Sequence, residues 1–268
     1  MGEIVLGAVA YDAKVVPIWD GFKAYFASHG LAFDFVLYSN YERQVAAHLR
    51  GDIDVAWNSP RAWIHTRRAA PDRARAIAMR DTDRDLTSVV LVRADAATAS
   101  GAPLAASDLR RVGVGAADSP QATLIPLHAL AEAGARVEAV RHDVLLGKHG
   151  DHVGGEREAV KALLAGTVDA ACVIDGNRLA FARDGLFAPG QLRVVLQTAP
   201  YDHCNFTVLS DSPAIATFRE LLLAMSYDNP AVRPLLDLEG LTRWLPGRTS
   251  GYALLERAID AAIDAGPR

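Results

Sequence analysis

The hydrophobic positions of the chain form short apolar runs that alternate with longer segments in which apolar residues recur three and four positions apart. Residues 3–10 form the first short run. The longer segment that follows carries its apolar residues at Val15, Ile18, Trp19, Phe22, Tyr25 and Phe26. A short run is typical of a buried strand, and the wider spacing is typical of an amphipathic helix. The chain is therefore predicted to begin with a strand followed by a helix.

The same alternation continues along the first part of the chain. Residues 33–38 and 53–57 are two further apolar runs, and Gly30 and Gly51 end the helices that precede them. Residues 58–60, Asn-Ser-Pro, are typical of a helix start, in which a capping residue is followed by proline. Because parallel strands require crossover helices, this order predicts a parallel α/β sheet.

A second set of strands and helices follows. Strands are predicted at 111–116, 137–140 and 168–174, and Asp-Ser-Pro at 118–120 opens a helix. Residues 94–106 are rich in alanine, serine, threonine and glycine, which is typical of a crossover between lobes. After residue 200 the chain is predicted to return to the first lobe, with a strand and two helices at 206–209, 213–225 and 252–263.

We therefore expect an α/β protein of two lobes, each a mixed, mostly parallel sheet flanked by helices. Residues 1–95 and 200–268 would form the first lobe, and residues 96–199 would form the inserted second lobe. The chain would then cross between the lobes twice, near residues 93–102 and 196–204.

Composition and charge exclude several classes of protein. Hydrophobic residues make up 50% of the 268 residues and charged residues 22%, which favours a packed core over disorder. The net charge of −4 disfavours a nucleic-acid partner. No run reaches the ~18 apolar residues of a membrane span, so no membrane insertion is expected. Two cysteines, Cys172 and Cys204, set no disulfide framework, although a single disulfide stays open.

The first residues are not expected to act as a secretory signal peptide, because the apolar run at 3–10 is too short and has no basic start. The expected location is therefore the cytoplasm if Met1 is the native start. It is the periplasm or the extracellular space if a leader has been removed.

Three stretches resemble the phosphate/phosphite/phosphonate branch of bacterial substrate-binding proteins. They are Gly-Asp-Ile-Asp-Val-Ala-Trp at 51–57, Val-Gly-Val-Gly with the following Asp-Ser at 112–119, and residues 150–171, to which Leu-Glu-Gly-Leu at 238–241 adds. These stretches occur in the same order as in the family, and the resemblance extends over nearly the whole chain. The resemblance implies the type-two periplasmic-binding-protein fold, with a ligand cleft between the lobes. The two expected connections between the lobes would permit hinge closure on the ligand.

The resemblance also implies that the chain binds a small polar, anionic solute as the substrate-binding component of an ABC-type uptake system. Its partners would be the small-molecule ligand and the membrane subunits of the transporter, and no cofactor is expected. Phosphonate-binding members carry a Ser/Thr-rich turn that ends in Ser-Gly before a second-lobe helix. Residues 119–123 here keep the hydroxyls of Ser119 and Thr123 but lack the Ser-Gly pair.

Helix starts and strand ends supply the candidate ligand-binding residues. Ligands of open α/β sheets bind beyond the carboxyl ends of the strands, and first-turn N–H groups attract anions. Helix starts near residues 13–14, 58–59 and 119 would face the same crevice, although Ser59 and Ser119 also fit a simple capping role. Aromatic strand ends such as Trp57 would line the pocket or pack in the core. The predicted ligand-binding residues are Tyr11, Asp12, Tyr38, Asn58, Ser59, Ser119, Thr123, His152, Asp175 and His203.

Histidines and carboxylates cluster between His142 and Glu156, among several glycines that predict a loop rather than a helix. Imidazole and thiolate ligands favour zinc, and iron less strongly. The candidate metal ligands are His149, Asp151, His152, Glu156, His203 and Cys204. The resemblance places His152 where the family has a second-lobe histidine, which implies ligand contact. The alternative is that these residues are solvated loop side chains.

His203 and Cys204 are adjacent, which suggests a nucleophile and its base. Neighbours in an extended segment point to opposite sides, so we expect His203 not to activate Cys204. Both residues belong to the alternative function, a cytoplasmic enzyme of small-molecule or cofactor metabolism that uses a His/Cys-rich and metal-dependent cleft. The missing leader and the His/Cys cluster favour the enzyme, whereas the likeness to solute binders and the absence of a clear acid–base pair favour the binding protein. The chain has no glycine-rich nucleotide fingerprint, so NAD and ATP are not expected.

Overall fold

The computed structural model describes residues 2–10, 13, 15–143 and 152–264. Its strands are β1 (Ile4–Val9), β2 (Phe33–Tyr38), β3 (Val55–Asn58), β4 (Arg75–Arg80), β5 (Ser88–Arg93), β6 (Arg111–Val114), β7 (Glu138–Arg141), β8 (Ala170–Ile174), β9 (Leu192–Gln197), β10 (Asn205–Val208) and β11 (Trp244–Pro246). Its helices are α1 (Val15–Ser28), α2 (Tyr41–Arg50), α3 (Pro60–Ala69), α4 (Ile125–Glu132), α5 (His152–Leu164), α6 (Asp175–Arg183), α7 (Pro213–Leu223), α8 (Arg233–Glu239) and α9 (Ala253–Asp264). Within the described residues, no helix has the length and hydropathy that crossing a membrane requires.

The chain divides into two compact units. The first comprises Met1–Asp85 and Asp202–Tyr252, and the second comprises Leu86–Tyr201 and Ala253–Arg268. The expected division is corrected in two places. β5 was expected in the first lobe, but it hydrogen bonds to β8 and β9 of the second unit. α9 was also expected there, but it packs against α4 of the second unit. The chain therefore passes between the units three times rather than twice.

The first unit is built on a sheet with the strand order β11-β4-β10-β3-β1-β2. β1, β2 and β3 are parallel, while β10 runs antiparallel to both β3 and β4. The carboxyl ends of β1 to β4 and the amino end of β10 therefore share one edge, which we call the first carboxyl edge. The hydrophobic pattern did not predict β4, β11 or α8.

The core of the first unit contains the apolar stripe of α1, as its spacing predicted. Val15, Ile18, Trp19, Phe22 and Phe26 are all buried on one side of this helix. The ring of Phe26 lies 4.9 Å from the ring of Phe33 and 4.9 Å from that of Phe218, measured between centroids. Such aromatic pairs add about 0.5–1.5 kcal/mol beyond the burial of their area. These rings pack α1 against the sheet.

The second unit is built on a sheet with the strand order β7-β6-β8-β5-β9. β6 is parallel to β7 and β8, and β5 is antiparallel to β8 and β9. The carboxyl ends of β6, β7, β8 and β9 and the amino end of β5 share an edge, which we call the second carboxyl edge. Both sheets are thus mixed and flanked by helices, as predicted.

The predicted loop at 142–156 is wrong for its last residues, because α5 begins at His152 and runs through Gly154 and Gly155. A Cβ atom at Gly155 would lie 2.6 Å from the carbonyl oxygen of His142, which follows β7. The glycine therefore marks a close approach between a helix and the backbone rather than a loop.

Replacing Gly155 with alanine should lower the free energy of unfolding by about 1–3 kcal/mol, because the new methyl group overlaps a backbone oxygen that cannot easily move. Gly176 lies in α6 with no atom within 4 Å of a Cβ added there. Its replacement with alanine should instead stabilise the protein by about 0.4–1 kcal/mol. Urea unfolding of both variants measures the difference, and equal effects would contradict the close approach.

Candidate functional site

The first carboxyl edge carries the start of α3. Ser59 caps this helix, with its Oγ accepting a hydrogen bond of 3.3 Å from the backbone N–H of Ala62, and Pro60 occupies the first helical position. A serine hydroxyl that accepts in a cap still has its own proton to donate. First-turn N–H groups have no partner within their helix. This edge therefore presents donors suited to an anion.

The second carboxyl edge repeats this arrangement after β6. Ser119 precedes a π-turn (Pro120–Leu124) that leads directly into α4, and its Oγ accepts a 3.2 Å hydrogen bond from Ala122 N–H. The π geometry is defined by a 3.0 Å hydrogen bond from Leu124 N–H to the carbonyl oxygen of Ser119, five residues earlier. The sequence predicted a helix start here but not its π geometry, which is frequent at functional sites. Ser119 is fully buried, whereas Ser59 is partly exposed.

Two predicted ligand residues use their polar groups inside the protein. Thr123 donates from its hydroxyl to the carbonyl oxygen of Ala116 at 2.8 Å, which ties down the π-turn. Asn58 is fully buried; its Nδ2 donates to Thr207 at 2.9 Å and its Oδ1 accepts from Gln44 at 2.9 Å. Both residues therefore hold the edges in shape, and their contact with a ligand stays a prediction.

The remaining predicted ligand residues lie at these edges or outside the described part. Tyr38 ends β2 and is partly buried, and burial raises the pKa of its hydroxyl. Asp175 begins α6, where its Oδ1 accepts a 2.7 Å hydrogen bond from Arg178. The predicted residues Tyr11, Asp12, His149 and Asp151 lie outside the described residues, as does the side chain of His152.

Glu156, a predicted metal ligand, is fully buried in α5. Its Oε2 accepts hydrogen bonds from the backbone N–H of Ile174 at 3.0 Å and from Asn177 at 2.9 Å. The carboxylate thereby joins α5 to the end of β8 and the first turn of α6. These contacts give Glu156 a structural role within the second unit.

A buried ion cluster, which the sequence pattern did not predict, lies at the first carboxyl edge. Arg80 ends β4 and donates to both carboxylate oxygens of Asp83, at 2.5 and 3.0 Å, and to the carboxylate of Glu239 at 3.2 Å. Burial, the largest influence, opposes ionisation of Asp83, but Arg80 and His203 outweigh it and lower its pKa to about 2. The charged residues that follow β4 at 80–85 were the signal for this cluster.

His203 and Cys204 lie beside that cluster. The Nδ1 atom of His203 is 3.1 Å from the Sγ atom of Cys204 and 3.5 Å from Oδ1 of Asp83. The expectation that the two neighbours point apart is wrong, because β10 begins only at Asn205 and strand alternation does not reach them. Burial, and next the charge of Asp83, raise the pKa of the Cys204 thiol well above its usual value. A thiol kept protonated in this way is a poor nucleophile.

The second carboxyl edge has a hydroxyl pair that no local sequence pattern predicted. Ser88 donates from its hydroxyl to the carbonyl oxygen of Gln121 in the π-turn, at 2.6 Å. The Tyr201 hydroxyl lies 2.7 Å from the Ser88 Oγ, and it acts as the donor because the Ser88 proton is already used. Both residues are buried, and the hydrogen bond from Ser88 ties the π-turn to the start of β5.

Known proteins share this architecture. A family model described as "ABC transporter, phosphonate, periplasmic substrate-binding protein" matches residues 8–252. The structure of PhnD1 from Prochlorococcus marinus in complex with methylphosphonate is 16% identical with a TM-score of 0.68, over 97% of this chain and 98% of that one. XAC2383 from Xanthomonas citri, bound to chloride, is 19% identical with a TM-score of 0.68, over 96% of this chain and 99% of that one.

A third structure, the periplasmic aliphatic sulphonate binding protein SsuA from Escherichia coli, is 15% identical with a TM-score of 0.58, over 98% of this chain and 87% of that one. No curated protein is significantly similar to the chain. The structural similarities confirm the predicted periplasmic-binding-protein fold. Because the family model spans most of the sequence, the chain belongs to the family of periplasmic substrate-binding proteins of phosphonate ABC transporters.

Proposed function

We propose that the protein captures a small solute with a tetrahedral oxyanion group, of the phosphonate, phosphate or sulfonate type, as the binding component of an ABC uptake system. The observation that carries this proposal is the paired helix start. In each unit a parallel strand is followed by a serine cap and a proline, at Ser59-Pro60 after β3 and at Ser119-Pro120 after β6. Methylphosphonate in PhnD1 and the aliphatic sulphonate of SsuA support this class of ligand.

The physical basis is the supply of donors at these two turns. A tetrahedral oxyanion carries acceptor oxygens on several sides, so it accepts hydrogen bonds from more than one direction. A hydrogen bond to a charged group contributes about 1.5–3 kcal/mol net, and the helix dipole adds about 0.3–1 kcal/mol at an exposed helix start. We assign direct contact to the hydroxyls and first-turn N–H groups at Ser59 and Ser119. Tyr11, Asp12, Tyr38, His152, Asp175 and His203 stay as further candidates.

We further propose a periplasmic location and the membrane subunits of an ABC transporter as partners, both of which the family supports. Membership of this family also favours solute binding over the enzymatic alternative. The raised pKa of the Cys204 thiol agrees with that preference, because it makes Cys204 a poor nucleophile.

Isothermal titration calorimetry with methylphosphonate, inorganic phosphate, methanesulfonate and sulfate tests the ligand class. We expect saturable one-to-one binding of at least one of these anions. A correctly folded protein that binds none of the four would refute the proposal. Phosphate release from a bound phosphonate during a long incubation would instead support an enzyme.

Replacing Ser119 with alanine should weaken binding of the anion about tenfold, or ~1.4 kcal/mol, because a donor to the charged group is lost. Loss of the cap should also lower the free energy of unfolding by about 1 kcal/mol. Calorimetry and urea unfolding measure the two effects separately.

The chain offers a matched control in Ser212. Residues 211–213 repeat the Asp-Ser-Pro of residues 118–120, and the Oγ of Ser212 caps α7 by accepting from Ile215 N–H at 3.1 Å. This cap follows the carboxyl end of β10, which is antiparallel to β3 and so lies at the opposite edge of the first sheet. Ser212→Ala should therefore cost similar stability and leave affinity unchanged. Equal losses of affinity in both variants would contradict the assignment of Ser119.

A further inference from the structure

Three metal-binding side chains of different chemistry converge at the first carboxyl edge. Asp83, His203 and Cys204 each offer one ligand atom, and these atoms lie within 4.8 Å of one another. The imidazole Nδ1 is 3.1 Å from the sulfur and 3.5 Å from the carboxylate oxygen. Around tetrahedral zinc, with bonds of about 2.0–2.3 Å, such ligand atoms are separated by about 3.3–3.6 Å. We propose that these three residues bind a zinc-type divalent metal ion.

The backbone already holds two of the three ligands in place. The backbone N–H of His203 donates to the carbonyl oxygen of Asp83 at 2.8 Å. The carbonyl oxygen of His203 accepts from the hydroxyl of Tyr252 at 2.9 Å. Little reorganisation is therefore needed to bring the imidazole and the carboxylate to one ion.

Arg80 is compatible with a metal at this position. Its guanidinium donates to both oxygens of Asp83, yet each carboxylate oxygen has a second lone pair for a metal. Carboxylates that bind metals are commonly held by such an outer hydrogen-bond partner. The ion would enter on the side of His203, whose side chain is 20% exposed, since Asp83 is only 2% exposed.

The type of ligand selects the type of metal. One thiolate, one imidazole and one carboxylate suit zinc or cobalt, whereas magnesium and calcium prefer oxygen ligands alone. Binding converts the thiol to a metal-bound thiolate and releases one proton to solvent. Three protein ligands leave the fourth position of a tetrahedral ion for water. The site does not depend on the proposed function, because it would form without any solute.

Cobalt(II) titration of chelator-treated protein, without solute, tests the site. We expect a thiolate-to-cobalt charge-transfer band and the visible bands of tetrahedral cobalt, saturating at one equivalent and displaced by zinc. Cys204→Ser should abolish the charge-transfer band, and His203→Gln should weaken binding at least tenfold. Cys172→Ser should change neither, because Cys172 lies in β8 of the second unit.

The wild-type protein decides the question even if a variant fails to fold. A folded wild-type chain that shows no charge-transfer band in excess cobalt would overturn the site. A band that survives Cys204→Ser, or that disappears in folded Cys172→Ser, would overturn it as well.

Discussion

Replacing Arg80 with methionine is expected to lower the free energy of unfolding by about 3–5 kcal/mol, because it removes the cation that pairs with two buried carboxylates. The side chains of Asp83 and Glu239 are 2% and 5% exposed, and the guanidinium of Arg80 bonds to both. Methionine keeps much of the length of the side chain but removes its charge and donors. Urea unfolding at neutral pH measures the loss.

Arg75 provides the matched control on the same strand. It pairs with Asp211, and the two side chains are 46% and 79% exposed. Exposed ion pairs contribute about 0–1 kcal/mol, so Arg75→Met should change stability little. Similar losses of stability in Arg80→Met and Arg75→Met would contradict the idea that burial makes the Arg80 ion pairs stabilising.

Acidification from pH 7 to pH 4 is expected to remove about 3 kcal/mol of stability through His48 alone. This α2 residue is 2% exposed, and burial lowers its pKa from 6.5 to about 4. Between those two values the unfolded chain binds a proton that the folded protein does not. Stability is therefore complete above pH 6.5 and falls as the pH falls toward 4. Urea unfolding across this range measures the slope.

The variant His48→Leu isolates this contribution. Burial also lowers the pKa of His142, so the wild-type slope alone has more than one source. Asp83 acts in a different window, because its pKa of about 2 makes its contribution disappear only as the pH falls below 3.8. The difference in slope between the wild type and His48→Leu should approach one proton between pH 4 and 6.5. Parallel slopes would contradict the assignment to His48.

Local signals in the sequence predicted most of the secondary structure and the two serine caps. The stripe of α1 was readable because a helix buries residues three and four positions apart. The helix caps at Ser59 and Ser119 could be predicted because a capping residue followed by proline is a local sequence pattern. The family resemblance added the fold, since the order of motifs carries information about topology that no single motif has.

Long-range pairing explains what the sequence did not reveal. The apolar run of β5 fits either sheet, and only its hydrogen bonds to β8 and β9 assign it to the second. The contact between Asp83 and His203 joins distant segments, so neither residue signals the other. The loop prediction at Gly155 was wrong because glycine is favoured both in loops and where a helix lies close to another backbone segment. Composition alone does not distinguish these two cases.

α9 packs against α4 and against the π-turn that carries Ser119. Ribosomal synthesis begins at the amino end, so the strands of both sheets are made before this helix. A nascent chain stalled before residue 253 would already contain the second sheet and the turn, yet it would lack the helix that packs against the turn and α4. The second unit therefore completes its packing only after translation has passed residues 253–264, however early its strands emerge.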